Sequence, residues 1–314
     1  MQFDRLSKLL EGIEDASKKD YPIVNLYRLM YMPEIWYEAY ANIYSNKGEL
    51  TKGVDEATLD GMSKERIERI TNSLGDETYK PKPVRRVYIP KPDGRQRPLG
   101  IPSGDDKLVQ GVCKIILERI YEPVSSNFSH GYRPDRSSHT ALEQVKKTWT
   151  GLKWFLEFDV RGFFDNMNHE TMTTILEKKI DDKRFIKLVK KLMKAGYLED
   201  WTYNATRSGV PQGGIISPIL SNIYLNELDE FVEQCINEFN KGKERTQNPE
   251  YGKLTQEKSR LRLRINEEGK KPNLMKEYNE LDRLQKTIPS KTNSDKYKRM
   301  RYCRYADDFI NLWC

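Results

Sequence analysis

Acidic residues lie at the ends of short apolar segments, where their side chains could hold metal ions. Asp159 lies near the end of the mostly apolar run 154–160, and Asp307 and Asp308 stand side by side between two further apolar runs. Neighbouring carboxylates repel one another unless a cation lies between them. If the segments are adjacent strands of one sheet, the three carboxylates converge and supply the oxygen ligands that Mg²⁺ prefers. Two such ions about 3.5–4 Å apart suit nucleotidyl transfer, although the Asp-Asp pair alone also fits a surface turn.

Short strands and amphipathic helices have to position these acids. The spacing of apolar residues predicts the helices, and prolines around a Pro92-Asp93-Gly94 turn predict a β-hairpin. Short strands mixed with helices indicate an α+β fold. Helices are predicted within 1–50 and at 64–74, 105–121, 138–149, 168–180, 183–196 and 219–239, with a further apolar stripe at Leu274, Tyr278, Leu281, Leu284 and Ile288. Strands are predicted at 86–89, 97–101, 154–160 and 201–205, and as a pair within 301–313.

Positive charge is concentrated in one segment. The chain has 54 Lys and Arg against 47 Asp and Glu, a net charge of +7. Residues 240–301 hold 18 of these basic residues and 9 of the acidic ones, so the rest of the chain is slightly acidic. A localised basic region is typical of a protein that binds a polyanion such as nucleic acid. A solvated, Lys-rich helical hairpin without a partner fits the same composition.

Several classes of protein are disfavoured. There is no run of 18 apolar residues and no apolar signal core at the N-terminus, so neither a transmembrane helix nor a membrane partner is predicted. The cysteines and histidines have no metal-ligand or disulfide-framework spacing, which favours structural histidines and a reducing cytoplasm. These residues are Cys113, Cys235, Cys303 and Cys314, and His130, His139 and His169.

Five motifs, in order, resemble those of the group II intron-encoded reverse transcriptases, or maturases. They are IPKPDGRQRPLGIP at 89–102, GYRP at 131–134, FDVRGFFDNM at 158–167, GVPQGGIISP at 209–218 and YADD at 305–308. The resemblance extends over residues 25–314 and implies a right-hand polymerase: fingers and palm, an antiparallel palm sheet packed with helices, and no thumb. The implied domains are an N-terminal helical extension (1–50), fingers (51–150), palm (151–239, with the PQG region near the fingers), a basic helical insertion (240–301) and the palm YxDD hairpin (302–314).

The resemblance also implies roles for single residues in the polymerase site. Catalytic Asp159, Asp307 and Asp308 would hold two Mg²⁺ ions. Lys91 and Arg97 would grip the triphosphate of a dNTP, as a point charge and a planar fork suit phosphate oxygens. Phe164 would be the steric gate that excludes a 2′-hydroxyl, with one of Phe163 and Phe164 in the core. Gln212 would lie near the incoming nucleotide and the template, and Gly213-Gly214 would let the backbone approach the substrate.

RNA contacts are implied for the basic insertion. Its apolar stripe predicts a helix packed on the palm, and its cations predict contacts with RNA backbone, which position RNA without reading sequence. Arg133 could contact the template backbone or form a buried salt bridge. The predicted rows are Arg260, Arg262 and Arg264, and Lys296, Lys298, Arg299 and Arg301.

The implied function is that of an RNA-directed DNA polymerase from a group II intron retroelement that also binds intron RNA as a splicing maturase. A primer 3′-hydroxyl would attack the α-phosphate of a dNTP, and pyrophosphate would leave. The implied partners are group II intron RNA, an RNA template with a DNA primer, dNTP, and a DNA target bound through C-terminal parts that this chain lacks. The chain stops just after its last predicted hairpin, which predicts a fragment of a longer polypeptide, and a homodimer stays open.

Three alternatives remain. The chain could act as an RNA-binding splicing cofactor without processive synthesis, because it lacks a thumb. Retron and abortive-infection reverse transcriptases are related, but the IPKPDG and GYRP runs favour the intron-encoded branch. A palm-containing nucleotide cyclase would leave the PQGG run, Lys91 and Arg97 without a role.

Overall fold

The computed structural model describes residues 2–45, 48, 51–55, 57–92, 94–150, 154–206, 208–292 and 296–313. The predicted turn residue Asp93 and the terminal Cys314 lie outside these ranges. Helices and short strands alternate along the described chain, so the predicted mixture of α and β structure is confirmed. Within the described residues, no helix is both long enough and apolar enough to cross a membrane.

The helices follow the predicted positions closely. Two 3-10 helices, Leu26–Tyr31 and Glu122–Val124, add to the α-helices. The α-helices are α1 (Gln2–Lys18), α2 (Pro33–Tyr44), α3 (Lys64–Gly75), α4 (Gly104–Tyr121), α5 (Ser138–Thr148), α6 (Phe163–Asn166), α7 (His169–Glu177), α8 (Lys183–Met193), α9 (Ser217–Phe239), α10 (Pro249–Glu268) and α11 (Pro272–Thr287).

The strands form small sheets. Strands β1 and β5 pair in parallel, β3-β2-β6-β7 is the order of a second sheet, and β4-β9-β8 is the order of a third. The strands are β1 (Ile23–Val24), β2 (Val84–Pro90), β3 (Gln96–Ile101), β4 (Trp154–Asp159), β5 (Ile180–Asp181), β6 (Tyr197–Glu199), β7 (Thr202–Asn204), β8 (Met300–Tyr305) and β9 (Asp308–Trp313).

The predicted hairpin is formed by β2 and β3, and its register sets which residues lie together. Ile89 pairs with Arg97, and Val87 pairs with Leu99. Strand β6, which was not predicted, adds to β2 in parallel, with Val84 opposite Tyr197. A three-residue strand is too short to show the alternation of apolar and polar residues that reveals longer strands.

The chain forms two compact units. The first comprises Met1–Val145, Glu157–Phe231 and Cys303–Phe309. The second comprises Lys146–Leu156, Val232–Tyr302 and Ile310–Cys314. The division into extension, fingers, palm and insertion stays a prediction.

Helix α4 lies at the centre of the first unit. Its residues Leu108, Val112, Ile116 and Ile120 are fully buried at helical spacing, as predicted. Ser103 caps the helix by accepting a hydrogen bond from the backbone N–H of Asp106 at 3.3 Å, which satisfies a donor that the first turn leaves unpaired. Apolar residues of α1, α2, α3, α7, α8 and the start of α9 join the same core.

Helices α10 and α11 pack on each other in the second unit. Leu254 and Leu261 of α10 and Leu274 of α11 are buried between them. Lys258 donates a hydrogen bond to Gln285 at 2.9 Å in the same layer. Lys258 also pairs with Asp282, and polar contacts of this kind between two helices specify their register.

The predicted apolar stripe on α11 is therefore wrong at one position. Leu284 is 51% exposed, and its neighbour Gln285 takes the inward place. Asp282 sits beside this layer, where hydrogen bonds from Lys258 and Lys286 lower its pKa to about 2.

Candidate active site

The strands that carry Asp159 and Asp308 are neighbours in one sheet. Strand β4 ends at Asp159, β9 begins at Asp308, and the two strands are adjacent in the order β4-β9-β8. The rings of Phe158 and Phe309, one residue inside each strand, stack at 4.8 Å with an interplanar angle of 10°. The prediction that the two acidic segments are sheet neighbours is thus confirmed.

A cleft of about 690 Å³ in the first unit contains the predicted catalytic and nucleotide-binding residues. The residues come from distant parts of the sequence, so their meeting is a result of the fold. The side chains named by the sequence and found in this cleft are Lys91, Arg97, Asp159, Phe164, Gln212, Asp307 and Asp308.

Like charges face one another on the acidic side of the cleft. Asp308 and Asp159 are exposed and Asp307 is half-buried. Partial burial raises the pKa of Asp308, and the charges of Asp307, Asp159 and Glu157 raise it further. Carboxylates that raise one another's pKa in this way bind protons or cations readily.

The donor set fits a divalent cation, although the side chains do not surround a common point. Among the described residues, no three Asp, Glu, His or Cys side chains are arranged as ligands of one metal ion. The observation in favour of a cation is the mutual repulsion of three carboxylates in one cleft. Asp159, Asp307 and Asp308 are the residues that would hold it, since carboxylate oxygens are hard ligands.

The buried side chain of Arg304 stabilises the turn that carries Asp307 and Asp308. Ala306 has a φ of 59°, a left-handed conformation that is uncommon for a residue with a Cβ. Arg304 donates a hydrogen bond to the carbonyl oxygen of Ala306 at 2.8 Å and to the Asn222 side chain at 3.1 Å. The same guanidinium pairs with Asp229, so several contacts fix a strained turn.

The GYRP motif lies directly against this turn. A Cβ placed on Gly131 would come within 2.3 Å of the Ala306 backbone nitrogen, so only glycine fits there. The Asn222 side chain donates a hydrogen bond to the Gly131 carbonyl at 2.8 Å. The backbone of His130 donates to the Arg304 carbonyl at 2.9 Å, which adds a strand-like contact to β8.

Backbone hydrogen bonds hold the loop at 209–214, which carries Gln212 and which we call the PQG loop. One of them joins the loop to the predicted gate residue, Phe164. Val210 donates to the Phe164 carbonyl at 2.7 Å, and Gly100 of β3 donates to the Gln212 carbonyl at 2.6 Å. Both rings border the cleft, but Phe163 is buried in the core, whereas Phe164 is only half-buried. The prediction that one of the two rings belongs to the core is confirmed.

Gly213 makes a close approach to β3, and its predicted approach to the substrate stays a prediction. Its φ is 101°, and a Cβ there would lie 2.9 Å from the carbonyl oxygen of Gly100. The contact is with the hairpin strand β3. A side chain at this position would push the PQG loop away from β3.

The comparisons with known proteins agree with this geometry. The family described as "Reverse transcriptase (RNA-dependent DNA polymerase)" matches residues 89–247, half of the chain. The matched part contains the last two residues of β2, strand β3, the FDVRGFFDNM motif and the GVPQGGIISP motif. The chain belongs to the reverse transcriptase family.

Similar sequences place the chain in the group II intron-encoded branch of the family, as predicted. It is 47% identical over 307 residues to the group II intron-encoded protein LtrA of Lactococcus lactis subsp. cremoris. The aligned region covers 96% of this chain and 51% of LtrA. It is 33% identical over 303 residues to protein YkfC of Escherichia coli (strain K12). This alignment covers 94% of this chain and 72% of YkfC. The chain thus spans about half the length of LtrA.

A solved structure shows only a distant likeness. A partial Cas6-RT-Cas1–Cas2 complex aligns over 92% of this chain and 38% of its own, with a TM-score of 0.44 and 15% sequence identity. A likeness this low supports no argument about the site.

Four polar residues that line this cleft were not singled out in the sequence. Tyr132 is the most informative, because its φ is 58° and its side chain is half exposed at the cleft. Burial raises the pKa of Tyr132, Asp307 raises it further, and Arg97 opposes the shift. The signal was its place in the GYRP motif, where only Arg133 was considered. The four residues are Gln96, Tyr132, Asp165 and Ser217.

Arg133 is a correction to the predicted RNA contacts. Its side chain is only 4% exposed and forms an ion pair with Glu122 at 2.7 Å. It also donates to the carbonyl of Ser129 at 3.0 Å. A guanidinium enclosed in this way is not available to a template phosphate, so the alternative of a buried salt bridge is the one that fits.

The predicted row of arginines on α10 is also corrected. Arg260, Arg262 and Arg264 are all exposed. On a helix, residues four apart share a face, whereas a residue two positions away points to the other side. Arg260 and Arg264 therefore lie together, and Arg262 faces elsewhere.

The second predicted row lies at the C-terminal end of the insertion. Lys296 is exposed, and Lys298 lies over the Phe239 ring at 6.0 Å. Arg299 donates to the carbonyls of Lys241 at 2.7 Å and of Gly242 at 2.6 Å. Its guanidinium thus has a structural role, and contacts of these residues with RNA stay a prediction.

Proposed function

We propose that this chain carries the polymerase site of an RNA-directed DNA polymerase, built from fingers and palm. The single observation that supports this is the meeting of Lys91, Arg97, Phe164, Gln212 and the three aspartates in one cleft. Membership of the reverse transcriptase family agrees with it. The substrates are an RNA template with a DNA primer, and dNTP.

The acidic side of the cleft is proposed to position the reacting atoms. Asp159, Asp307 and Asp308 hold Mg²⁺ in this proposal. When bound, a pair of such ions lowers the pKa of the attacking hydroxyl and stabilises the leaving oxygen. The primer 3′-hydroxyl then attacks the α-phosphate, the bond to the β-phosphate oxygen breaks, and pyrophosphate leaves.

The other walls of the cleft are proposed to bind and select the nucleotide. Lys91 and Arg97 neutralise the triphosphate oxygens, and Arg can do so with two parallel hydrogen bonds. The Phe164 ring excludes a ribose 2′-hydroxyl. Gln212 is presented by a loop whose backbone is bonded to β3 and to Phe164, so its position is fixed before substrate arrives.

A single-nucleotide incorporation assay tests the proposal without demanding processive synthesis. The chain, in excess over an annealed RNA template and DNA primer, is mixed with the next dNTP and Mg²⁺. Asp307→Ala combined with Asp308→Ala should abolish primer extension and leave the affinity for the RNA template near that of the unmodified chain.

A matched control removes two adjacent acids elsewhere. Glu267 and Glu268 are exposed neighbours on α10, and Glu267→Ala with Glu268→Ala should leave incorporation intact. If the double aspartate variant still incorporated nucleotide, the assignment of the carboxylates would be wrong.

We further propose that the chain binds structured RNA, as expected for a maturase encoded in a group II intron. The basic surplus of residues 240–301 supports this second activity. RNA affinity should fall steeply with salt, because phosphate contacts release condensed counterions.

A further inference from the structure

The two ends of the basic insertion, which flank α10 and α11 in the sequence, pair with each other. We call the described residues 240–248, 288–292 and 296–301 the stem. Lys241 and Lys298 exchange backbone hydrogen bonds of 3.0 and 3.1 Å, as in an antiparallel ladder. Further along, Thr292 donates to the Thr246 carbonyl at 2.9 Å. The stem is thus a defined two-stranded structure.

Side chains reinforce the pairing of the stem. The Asn240 side chain accepts a hydrogen bond from the Met300 backbone at 2.7 Å. Arg299 bridges to the opposite segment through the carbonyls of Lys241 and Gly242. Its guanidinium also lies 4.3 Å from the Tyr297 ring centre, and that of Arg245 lies 5.5 Å from it.

The charge surplus of the insertion resides mainly in the stem and not on its helices. The stem has eight Lys and Arg against one acidic residue, Glu244, and the sequence between its parts adds Asp295. Residues 249–287, which include α10 and α11, have ten Lys and Arg against seven Asp and Glu. Two carboxylates cannot neutralise eight cations, whereas several helical cations already form ion pairs, such as Lys271 with Glu268 at 2.9 Å.

The pairing brings like charges together. Lys241 and Lys298 stand directly opposite each other in the ladder, an arrangement that destabilises a strand pair. An anion bound beside the exposed Lys241 would offset this repulsion. Lys241, Lys243, Lys291 and Lys296 are all exposed, so their ammonium groups can reach such an anion.

We infer that the stem is the surface that holds the phosphodiester backbone of RNA, and that α10 and α11 contribute little to it. The inference deepens the proposed RNA binding and rests on it. Lys side chains on two paired segments suit contacts that position RNA without reading its sequence. The partner is a structured RNA of any sequence that offers closely spaced phosphates.

The test compares two sets of four charge-removing substitutions in the whole chain. The stem variant combines Lys241→Gln, Lys243→Gln, Lys291→Gln and Lys296→Gln. The helix variant combines Lys253→Gln, Arg260→Gln, Arg262→Gln and Lys276→Gln, which are also exposed. Binding of a fluorescent RNA hairpin is measured by anisotropy at several salt concentrations, with circular dichroism as a check on folding.

The stem variant should lose the salt dependence and the helix variant should keep it. Neutralising four phosphate contacts reduces the slope of log Kd against log salt by up to about three units, and a Kd at least about tenfold higher is expected near 0.1 M salt. For the helix variant we expect a change in slope below about one unit. Equal losses in both variants, or a larger loss in the helix variant, would overturn the inference.

Additional measurements distinguish a failure of the stem assignment from a failure of the proposed RNA binding. A variant with Arg in place of the four stem lysines should bind like the unmodified chain, which shows that charge matters and not the lysine side chain. A second hairpin of unrelated sequence should give the same losses, and losses seen only with duplex DNA would refute the assignment to RNA. If the unmodified chain binds no RNA, the proposed RNA binding itself fails. If it binds and the stem variant binds equally well, only the stem assignment fails.

Discussion

Arg304 and Asp229 form an ion pair that is almost fully withdrawn from solvent. The two guanidinium nitrogens Nη2 and Nε lie 2.6 and 2.8 Å from the two carboxylate oxygens, and the side chains are 1% and 0% exposed. Since Arg304 also bonds to Ala306, the pair connects the core helix α9 to the turn that presents Asp307 and Asp308.

Substitution of Asp229 should lower stability, whereas substitution of Arg304 should lower the rate of incorporation. Asp229→Asn leaves a buried arginine unpaired, so the free energy of unfolding should fall by about 3–5 kcal/mol. Arg304→Lys keeps the charge but loses the planar fork that reaches both Asp229 and Ala306. For Arg304→Lys we expect a lower kcat for incorporation with little change in the KM for dNTP, because Lys91 and Arg97 are untouched. An unchanged kcat in the folded variant would show that the pair serves stability alone.

Alanine substitutions of the two neighbouring phenylalanines should have different effects on nucleotide preference and on stability. Phe164→Ala opens the cleft wall, and the preference for dNTP over NTP should fall at least about tenfold, which corresponds to about 1.4 kcal/mol. Phe163→Ala is the matched control, since it removes a buried ring and should destabilise the fold by about 3–5 kcal/mol without changing the preference of the folded protein. Single-nucleotide incorporation with dNTP and NTP measures the ratio, and an unaltered ratio in Phe164→Ala would place the gate elsewhere.

Tyr132 should contribute a contact to the bound substrate. Its ring lies at the cleft close enough to Asp307 and Arg97 to feel both charges, and its backbone is held in a left-handed conformation. Loss of an aromatic contact to a base costs about 1–3 kcal/mol, so Tyr132→Ala should slow incorporation about tenfold, whereas Tyr132→Phe should retain most of the activity. Tyr203→Ala removes an exposed tyrosine outside the cleft, and it should have no effect. Equal rates for Tyr132→Ala and the unmodified chain would contradict the prediction.

His130 should make folding sensitive to mild acid. Burial lowers its pKa below the usual 6.5, Arg136 and Arg133 lower it further, and the hydrogen bond to Gln144 opposes them. Between the lowered value and 6.5 the unfolded chain binds more protons, so stability is full above pH 6.5 and declines as the pH falls towards the lowered pKa. Urea unfolding at pH 5, 6 and 7 should show this slope, and it should be smaller in His130→Gln. The same slope in both proteins would assign the effect to other groups.

Local structure and the motifs could be predicted from the sequence because they depend on neighbouring residues. The helix α4 and the hairpin β2–β3 follow from apolar spacing and from turn residues, which act over a few positions. The acidic residues were recognised in the same way, because neighbouring carboxylates repel one another unless a cation lies between them. The short strands β1, β5 and β6 were missed, although the three-residue β7 was predicted, because so few residues carry little periodic signal.

Tertiary structure alone decided which side chains share a cleft and which are enclosed. Arg133 has the residue type of an RNA contact, but its burial depends on Glu122 and on loop carbonyls that no local pattern reveals. In the same way, Phe163 and Phe164 differ only in the direction of their side chains, and the stem gathers its cations from two ends of a long insertion. The sequence by itself determined the chemistry available and the order of the motifs. Only the fold determined solvent access and proximity, because both depend on contacts between residues that are distant in the chain.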